Sequence, residues 1–296
     1  MKIQAAPYQL ITNQNPITIT MGNFDGLHLG HQQLIERVLS YPDTKHGVLT
    51  FDPHPSSVLR KQSFRTLTQK EDKINLFAKY PLDYAFIVEF NLAFSQLSVD
   101  EFIQFLRNLH VKRLVIGRDA RFGYRGEGTI ADLKKYFFVD VVEDLVYNHT
   151  RVSTTYIKDF LSMGDLGSAR KLLNRHYDVK GVVVHGNRIG HKLGYPTANI
   201  DFGNYFLPQS GVYYVKVMVD DIWYHAMANI GNNPTLNYSF DKRLEIHILD
   251  FNKNIYGKRI TVVFLHYLRQ ELKFRNKKEL IEQIKKDEAA IRKLII

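Results

Sequence analysis

The 296-residue chain is long enough for two domains, and its 45% hydrophobic and 24% charged residues support packed cores and exclude a disordered polypeptide. The absence of cysteine excludes disulfide staples, a thiol nucleophile and thiolate-bound zinc or iron–sulfur centres, so any metal must be held by oxygen or imidazole. The formal charge of +10 is weighted towards the second half, +7 from residue 174 onward against +3 before it. That field suits nucleic acid, an anionic membrane or phosphorylated small molecules, and equally a solvated lysine-rich face.

The first half alternates short apolar runs with helical stretches. Residues 17–21, 47–51, 84–88, 114–117 and 139–142 read as buried strands. Capping boxes at Thr68 with Glu71 and at Ser98 with Glu101 mark two helix starts. This β-α-β order predicts a parallel sheet with helices on both faces and ligands at the carboxyl ends of its strands. From about residue 178 the pattern changes to strands at 182–185, 212–219, 222–230, 244–251 and 260–267, an antiparallel barrel or sandwich. A final helix, capped by Asn276 with Glu279, carries the stripe Leu280, Ile281, Ile284, Ile291, Leu294 and Ile295. Domains 1–175 and 176–296 follow. No segment reaches the roughly 20 apolar residues that cross a bilayer, and Met1-Lys2-Ile3-Gln4 opens no signal peptide, so a cytoplasmic chain is expected.

Two stretches carry candidate chemistry. Gly22-Asn23-Phe24-Asp25-Gly26-Leu27-His28-Leu29-Gly30-His31 follows the first strand and opens the first helix, where free N–H groups and the helix dipole favour phosphate. His28 and His31 are placed there to stabilise charge on a phosphoryl or pyrophosphate group, or, in the plainer alternatives, to form a zinc pair or stand solvated. In the second half, Gly186, Gly190 and Gly194 stand four apart ahead of Pro196-Thr197-Ala198-Asn199. Such glycines fold a flap over phosphates or simply form β-turns, and the nearby hydroxyl and amide offer hard ligands for Mg²⁺. Glu245, taken alone, is a carboxylate on a strand.

The H-x-G-H segment resembles the nucleotidyltransferase superfamily. Together with Thr50-Phe51-Asp52-Pro53-His54-Pro55, Gly117-Arg118-Asp119-Ala120-Arg121-Phe122-Gly123 and Ser153-Thr154-Thr155-Tyr156-Ile157-Lys158, it resembles the FMN adenylyltransferase module of bacterial bifunctional riboflavin kinase/FAD synthetases. The stretch 181–200, with Gly211-Val212-Tyr213, Asn229–Thr235, Glu245–Phe251, Tyr256-Gly257 and Arg269–Phe274, resembles the riboflavin kinase domain of the same family. The resemblance implies a Rossmann-like nucleotidyltransferase domain followed by a six-stranded antiparallel β-barrel with a closing helix. It implies that the barrel phosphorylates riboflavin to FMN and the first domain adenylylates FMN to FAD, using ATP with Mg²⁺ and releasing pyrophosphate.

Carried over by residue, the resemblance implies catalytic roles for Glu245, His28 and His31. It implies ATP or phosphate contacts at Gly22, Asn23, Phe24, Asp25, Gly26, Gly30, Asp119, Ser153, Thr154, Lys158, Gly186, Gly190, Gly194 and Asn199. Flavin contacts are implied at Phe51, Pro53, His54, Phe122, Arg269, Glu271 and Phe274, and metal ligands at Thr197 and Asn199. Lys158 stands where the family has arginine, losing the planar fork, and Ala120 replaces a commonly aromatic residue. An alternative is therefore a kinase whose adenylyltransferase is weak or redirected. Small-molecule partners, no nucleic acid, no membrane and a monomer or weak homo-oligomer are expected.

Overall fold

The computed structural model describes residues 1–60, 64–186, 194–232 and 242–295, and the protein divides into two compact units, Met1–Thr154 and Thr155–Ile296. The first contains β1 (Lys2–Ala6), β2 (Ile17–Met21), α1 (Leu29–Leu39), β3 (Lys45–Asp52), α2 (Pro55–Leu59), α3 (Lys70–Phe77), β4 (Tyr84–Glu89), α4 (Leu92–Ser95), α5 (Val99–Asn108), β5 (Val111–Gly117), α6 (Ile130–Lys134) and β6 (Phe138–Val142), followed by the short hairpin of β7 (Val146–Tyr147) and β8 (Thr150–Arg151). Its sheet runs β1-β4-β3-β2-β5-β6 with every pair parallel. Central β2 is buried on both faces, with Ile17, Thr18, Ile19 and Thr20 all at 0% exposure, as expected for a strand covered by helices on each side. Ile19 and Leu49 pack with Phe102 and Phe105 of α5 on one face, while Val48 and Ala85 pack with Ile35 of α1 and Phe77 of α3 on the other.

The chain leaves β2 towards β3 on one side and later returns to β5 on the other. The loops after β2 and β5 therefore flank a topological switch point, where open α/β sheets hold ligands. The capping box at Ser98 and Glu101 forms, with Glu101 accepting Ser98 N–H at 2.8 Å. The one expected at Thr68 shifts by a residue. Gln69 caps α3 with Asp72, because the Thr68 hydroxyl instead accepts Gly26 N–H at 2.9 Å and approaches Asp25.

The second unit begins with α7 (Thr154–Ser162) and α8 (Leu166–Leu173), ahead of the change in strand pattern. These helices go with the barrel: Gln209 N–H donates to the Leu161 carbonyl at 2.9 Å, and a Cβ on Gly164 would lie 3.4 Å from the Tyr267 ring. The strands β9 (Asp178–Val184), β10 (Ala198–Asp201), β11 (Gly211–Val219), β12 (Ile222–Asn232), β13 (Lys242–Ile248) and β14 (Arg259–Arg269) close as β10-β13-β12-β11-β14-β9, all antiparallel. Tyr213, Val215, Ala228, Ile246, Val262 and Phe264 are buried at alternate positions, the period-two pattern of strands around an apolar interior. Val212, Tyr214 and Met227, on the opposite face, pack with Ile284 and Ile291 of the closing helix α9 (Lys277–Leu294).

Gly181 sits in the closing seam, where an added Cβ would meet Ile200 Cγ2 at 2.4 Å and the Asp201 carbonyl oxygen at 2.5 Å. Gly181→Ala is expected to destabilise the barrel by about 1–3 kcal/mol through overpacking. Gly167→Ala, inside α8 and at an ordinary 3.4 Å from Asp165, is expected to stabilise by up to about 1 kcal/mol. Urea unfolding of the two variants, followed by fluorescence, checks the opposite signs.

Candidate active sites

In the first unit His28 ends the loop after β2 and caps α1, its Nδ1 accepting His31 N–H at 3.3 Å. With Nδ1 committed as acceptor, the neutral ring carries its proton on Nε2. The two imidazoles stack with centroids 3.6 Å apart and planes at 17°. Burial, reinforced by the nearby Arg151 charge, pulls His28 down to about 4. Burial holds His31 well below the usual histidine range, with His28, Arg151 and Lys73 adding to the effect. Both rings are therefore neutral at neutral pH, in the field of two cations that carboxylates in turn counter.

Two cations set that field. Arg151, at the end of β8, grips Asp119 through both terminal nitrogens at 2.5 and 2.8 Å and reaches Asp144 through Nε at 2.9 Å. The bidentate contact keeps the Asp119 carboxyl below its ordinary value, and Asp119 in turn fixes the Arg151 guanidinium. Lys73 of α3 is 4% exposed and donates to the Phe51 carbonyl at 2.8 Å, and burial lowers its proton affinity. Neither cation stands out in the sequence. The useful signals were a basic residue just ahead of Ser153-Thr154 and a lysine on the inward face of a helix.

The remaining expected residues divide. Thr154 Oγ1 donates to the Asp25 carbonyl at 2.9 Å, tying the segment after β8, and Ser153 beside it in sequence, to the loop after β2. Asp25 Oδ1 accepts Leu67 N–H, Thr68 N–H and the Thr68 hydroxyl, so its buried carboxylate braces this loop, in which Gly22, Asn23 and Gly26 also lie. Gly30 gives the helix start its close approach, for an added Cβ would lie 3.3 Å from the His28 ring. Phe24 is wholly buried against Phe77 and His31, and Phe122 is buried against Phe102, so both rings are part of the core. Phe51 lies near the end of β3 and Pro53 and His54 directly after it, with His54 capping α2 and stacked on Phe64 at 4.4 Å. Ala120 packs against the first unit's core. Lys158 lies in the second unit, its ammonium 5.6 Å from the Phe206 ring centre.

In the second unit the cross-strand register forms one row: Asn199 of β10 opposite Glu245 of β13, Glu245 opposite Asn229 of β12, Asn229 opposite Val212 of β11, and Val212 opposite Arg269 of β14. Residues directly opposite in antiparallel strands share a face. A cavity of about 330 Å³ opens over this row, and Thr197, Glu271 and Phe274 also line it. Glu245 pairs with Arg243 at 3.1 Å, and Arg269 binds buried Asp287 of α9 through Nε at 3.0 Å and Nη2 at 2.6 Å. Gly186 lies beneath Asn199, whose amide would sit 2.0 Å from an added Cβ, and Gly194 has a φ of +82°. Gly190 lies outside the described residues. The donors facing the cavity are hard oxygens, a hydroxyl, an amide and a carboxylate, which fit Mg²⁺. Asn229 and Arg243 are additions to the expected set.

A parallel-sheet unit with a phosphate-suited helix start, joined to a barrel with a carboxylate-bearing cavity, defines a two-site transferase acting on phosphorylated substrates. The FAD synthetase family model matches residues 10–156 and the riboflavin kinase model residues 173–295. The bifunctional riboflavin kinase/FMN adenylyltransferase of Listeria monocytogenes is 40% identical, covering 91% of this chain and 90% of that protein. Its counterpart in Bacillus subtilis is 37% identical, with 95% and 93% covered. A solved structure from Streptococcus pneumoniae, described as a macrolide-efflux protein, superposes with a TM-score of 0.85 at 30% identity over 97% of both chains. No helix among the described residues is long and apolar enough to cross a membrane. The chain belongs to the bifunctional riboflavin kinase/FMN adenylyltransferase family.

An unfolded chain protonates His28 and His31 near pH 6.5, whereas the folded one resists down to about 4 at His28. Between these values the unfolded state binds more protons, so stability falls as pH drops through the window, by up to about 1.4 kcal/mol per pH unit for each histidine. His28→Asn with His31→Asn, which keeps a capping side chain, is expected to flatten that slope in urea unfolding followed from pH 7 to 4.

Proposed function

We propose that the chain makes FAD from riboflavin in two steps at two separate sites. The barrel transfers the γ-phosphoryl group of ATP to the ribityl 5′-hydroxyl, and the first unit transfers an adenylyl group from a second ATP to FMN, releasing pyrophosphate. The row Asn199–Glu245–Asn229 beneath a cavity shared with Thr197, Arg269, Glu271 and Phe274 carries this reading. It gathers the residues proposed for base, phosphate, metal and flavin around one space.

Glu245 is placed to accept the hydroxyl proton, a contribution of roughly 10²- to 10⁴-fold. Thr197 and Asn199 would hold Mg²⁺, which when bound neutralises phosphate charge. Arg269, fixed by Asp287, and Phe274 border the flavin side.

At the other site the Nε2–H of neutral His28 donates to the phosphate chain, with Arg151 and Lys73 supplying positive charge to the leaving pyrophosphate. His31, stacked beneath, supports His28. Phe51, Pro53 and His54, at the carboxyl end of the neighbouring strand, are read as the flavin side.

Chromatographic separation of riboflavin, FMN and FAD after incubation with Mg-ATP tests the assignment. Glu245→Gln is expected to cut FMN formation by at least about 10²-fold while FMN-to-FAD conversion stays near wild type. His28→Ala with His31→Ala is expected to do the reverse. Loss of both activities from either variant in a folded protein contradicts two independent sites, and wild-type accumulation of FMN without FAD points to a weak or redirected adenylyltransferase.

A further inference from the structure

Arg243 stands two residues before Glu245 on β13, on the same face, and both side chains line the cavity. Its Nε stands 3.1 Å from a Glu245 carboxylate oxygen, an ion-pair distance without hydrogen-bond geometry. Its cross-strand partner is Gly231, which contributes no side chain to hinder it, and the Glu271 carboxylate closes over that glycine, 2.8 Å from where a Cβ would stand. The other arginine of the cavity is committed elsewhere: Arg269 gives Nε and Nη2 to Asp287 and Nη1 to the Gln270 carbonyl. The cavity thus holds one guanidinium built into the attachment of α9 and one whose partner is the proposed base itself.

That arrangement has a consequence once charge is followed through the reaction. The ribityl O–H bond breaks and its proton passes to Glu245. The oxygen forms its bond to the γ-phosphorus, the bond from that phosphorus to the β–γ bridging oxygen breaks, and the electron pair leaves with ADP. Glu245 loses its negative charge in the same event that attaches an anionic phosphate to the oxygen it had been facing. We propose that Arg243 is a catalytic residue of the kinase reaction: it holds Glu245 in the free enzyme and transfers to the phosphoryl group as Glu245 becomes protonated. A guanidinium is suited to the exchange, since its planar fork binds carboxylate and phosphate alike and stays charged throughout. The proposal rests on the reading of Glu245 as the base.

Arg243 should therefore distinguish FMN from riboflavin, which differ by the phosphate. In the 296-residue chain, KM for riboflavin and the inhibition constant of FMN against riboflavin are measured for wild type, Arg243→Gln and Arg243→Lys, with thermal melts to verify folding. Arg243→Gln is expected to lower kcat and raise the FMN inhibition constant by about 10- to 100-fold, the range for losing a charge-assisted hydrogen bond, with riboflavin KM within about threefold. Arg243→Lys should recover part of both effects. It also decides the matter if the glutamine variant does not fold or turn over. Equal changes in the two constants, or no change in either, overturn the role of Arg243. Glu245→Gln separates the two levels: wild-type FMN formation by that variant would sink the base reading itself, whatever Arg243 does.

Discussion

Asn199, Glu245, Asn229, Val212 and Arg269 stand side by side because five antiparallel strands are locked in one register. Side chains along a strand alternate between faces, so a slip of one residue would send Glu245 into the barrel interior and bring Leu244 or Ile246 to the cavity. The apolar interior enforces the register: Tyr213, Ala228, Ile246 and Phe264 are buried only when their neighbours face outward. The stability of the barrel and the geometry of its cavity are consequences of the same pairing. Helix α9 completes the cavity from outside, held by Ile291 in the apolar cluster and by the pair between Arg269 and Asp287. Breaking a buried ion pair by removing one partner leaves an uncompensated charge, so this attachment resists loosening.

The first unit solves a different problem. Two stacked imidazoles are kept uncharged by burial, with Arg151, paired with Asp119 and Asp144, and Lys73, countered by Asp52 and Asp25, close by. Asp25, Thr68 and Thr154 brace the loop so that this arrangement exists before any ligand arrives. The donors need little reorganisation, which is what makes preorganised electrostatics effective in a water-poor site.

Five of the six parallel strands, most barrel strands and the closing helix are legible from the sequence because burial periodicity is local, whereas the largely exposed edge strand β1 is not. Strand β10 was less so: its four residues alternate too briefly to register, although it carries Asn199. Residues whose surroundings depend on distant partners are less legible. Phe24 and Phe122 sit within motifs, yet their rings are needed by the core. Asp119 lies in a motif, but its pairing through both oxygens with Arg151, 32 positions away, is not readable from it. Thr68 has the spacing of a helix cap, but a bond to Gly26, 42 residues earlier, displaces that role to Gln69. Lys73 and Arg243 look like surface charges until their neighbours are known. The excess of positive charge in the second half is only partly used by the cavity, and much of it lies along α9.

The central claim is that one chain performs phosphoryl and adenylyl transfer as distinct chemistries on successive flavins. Parallel incubations of the 296-residue chain with riboflavin and ATP, radiolabelled at the γ-phosphate in one and at the α-phosphate in the other, test it most directly. The account predicts FMN labelled only from the γ position and FAD labelled from both. Absence of α label from every flavin product, or α label entering FMN, would contradict it.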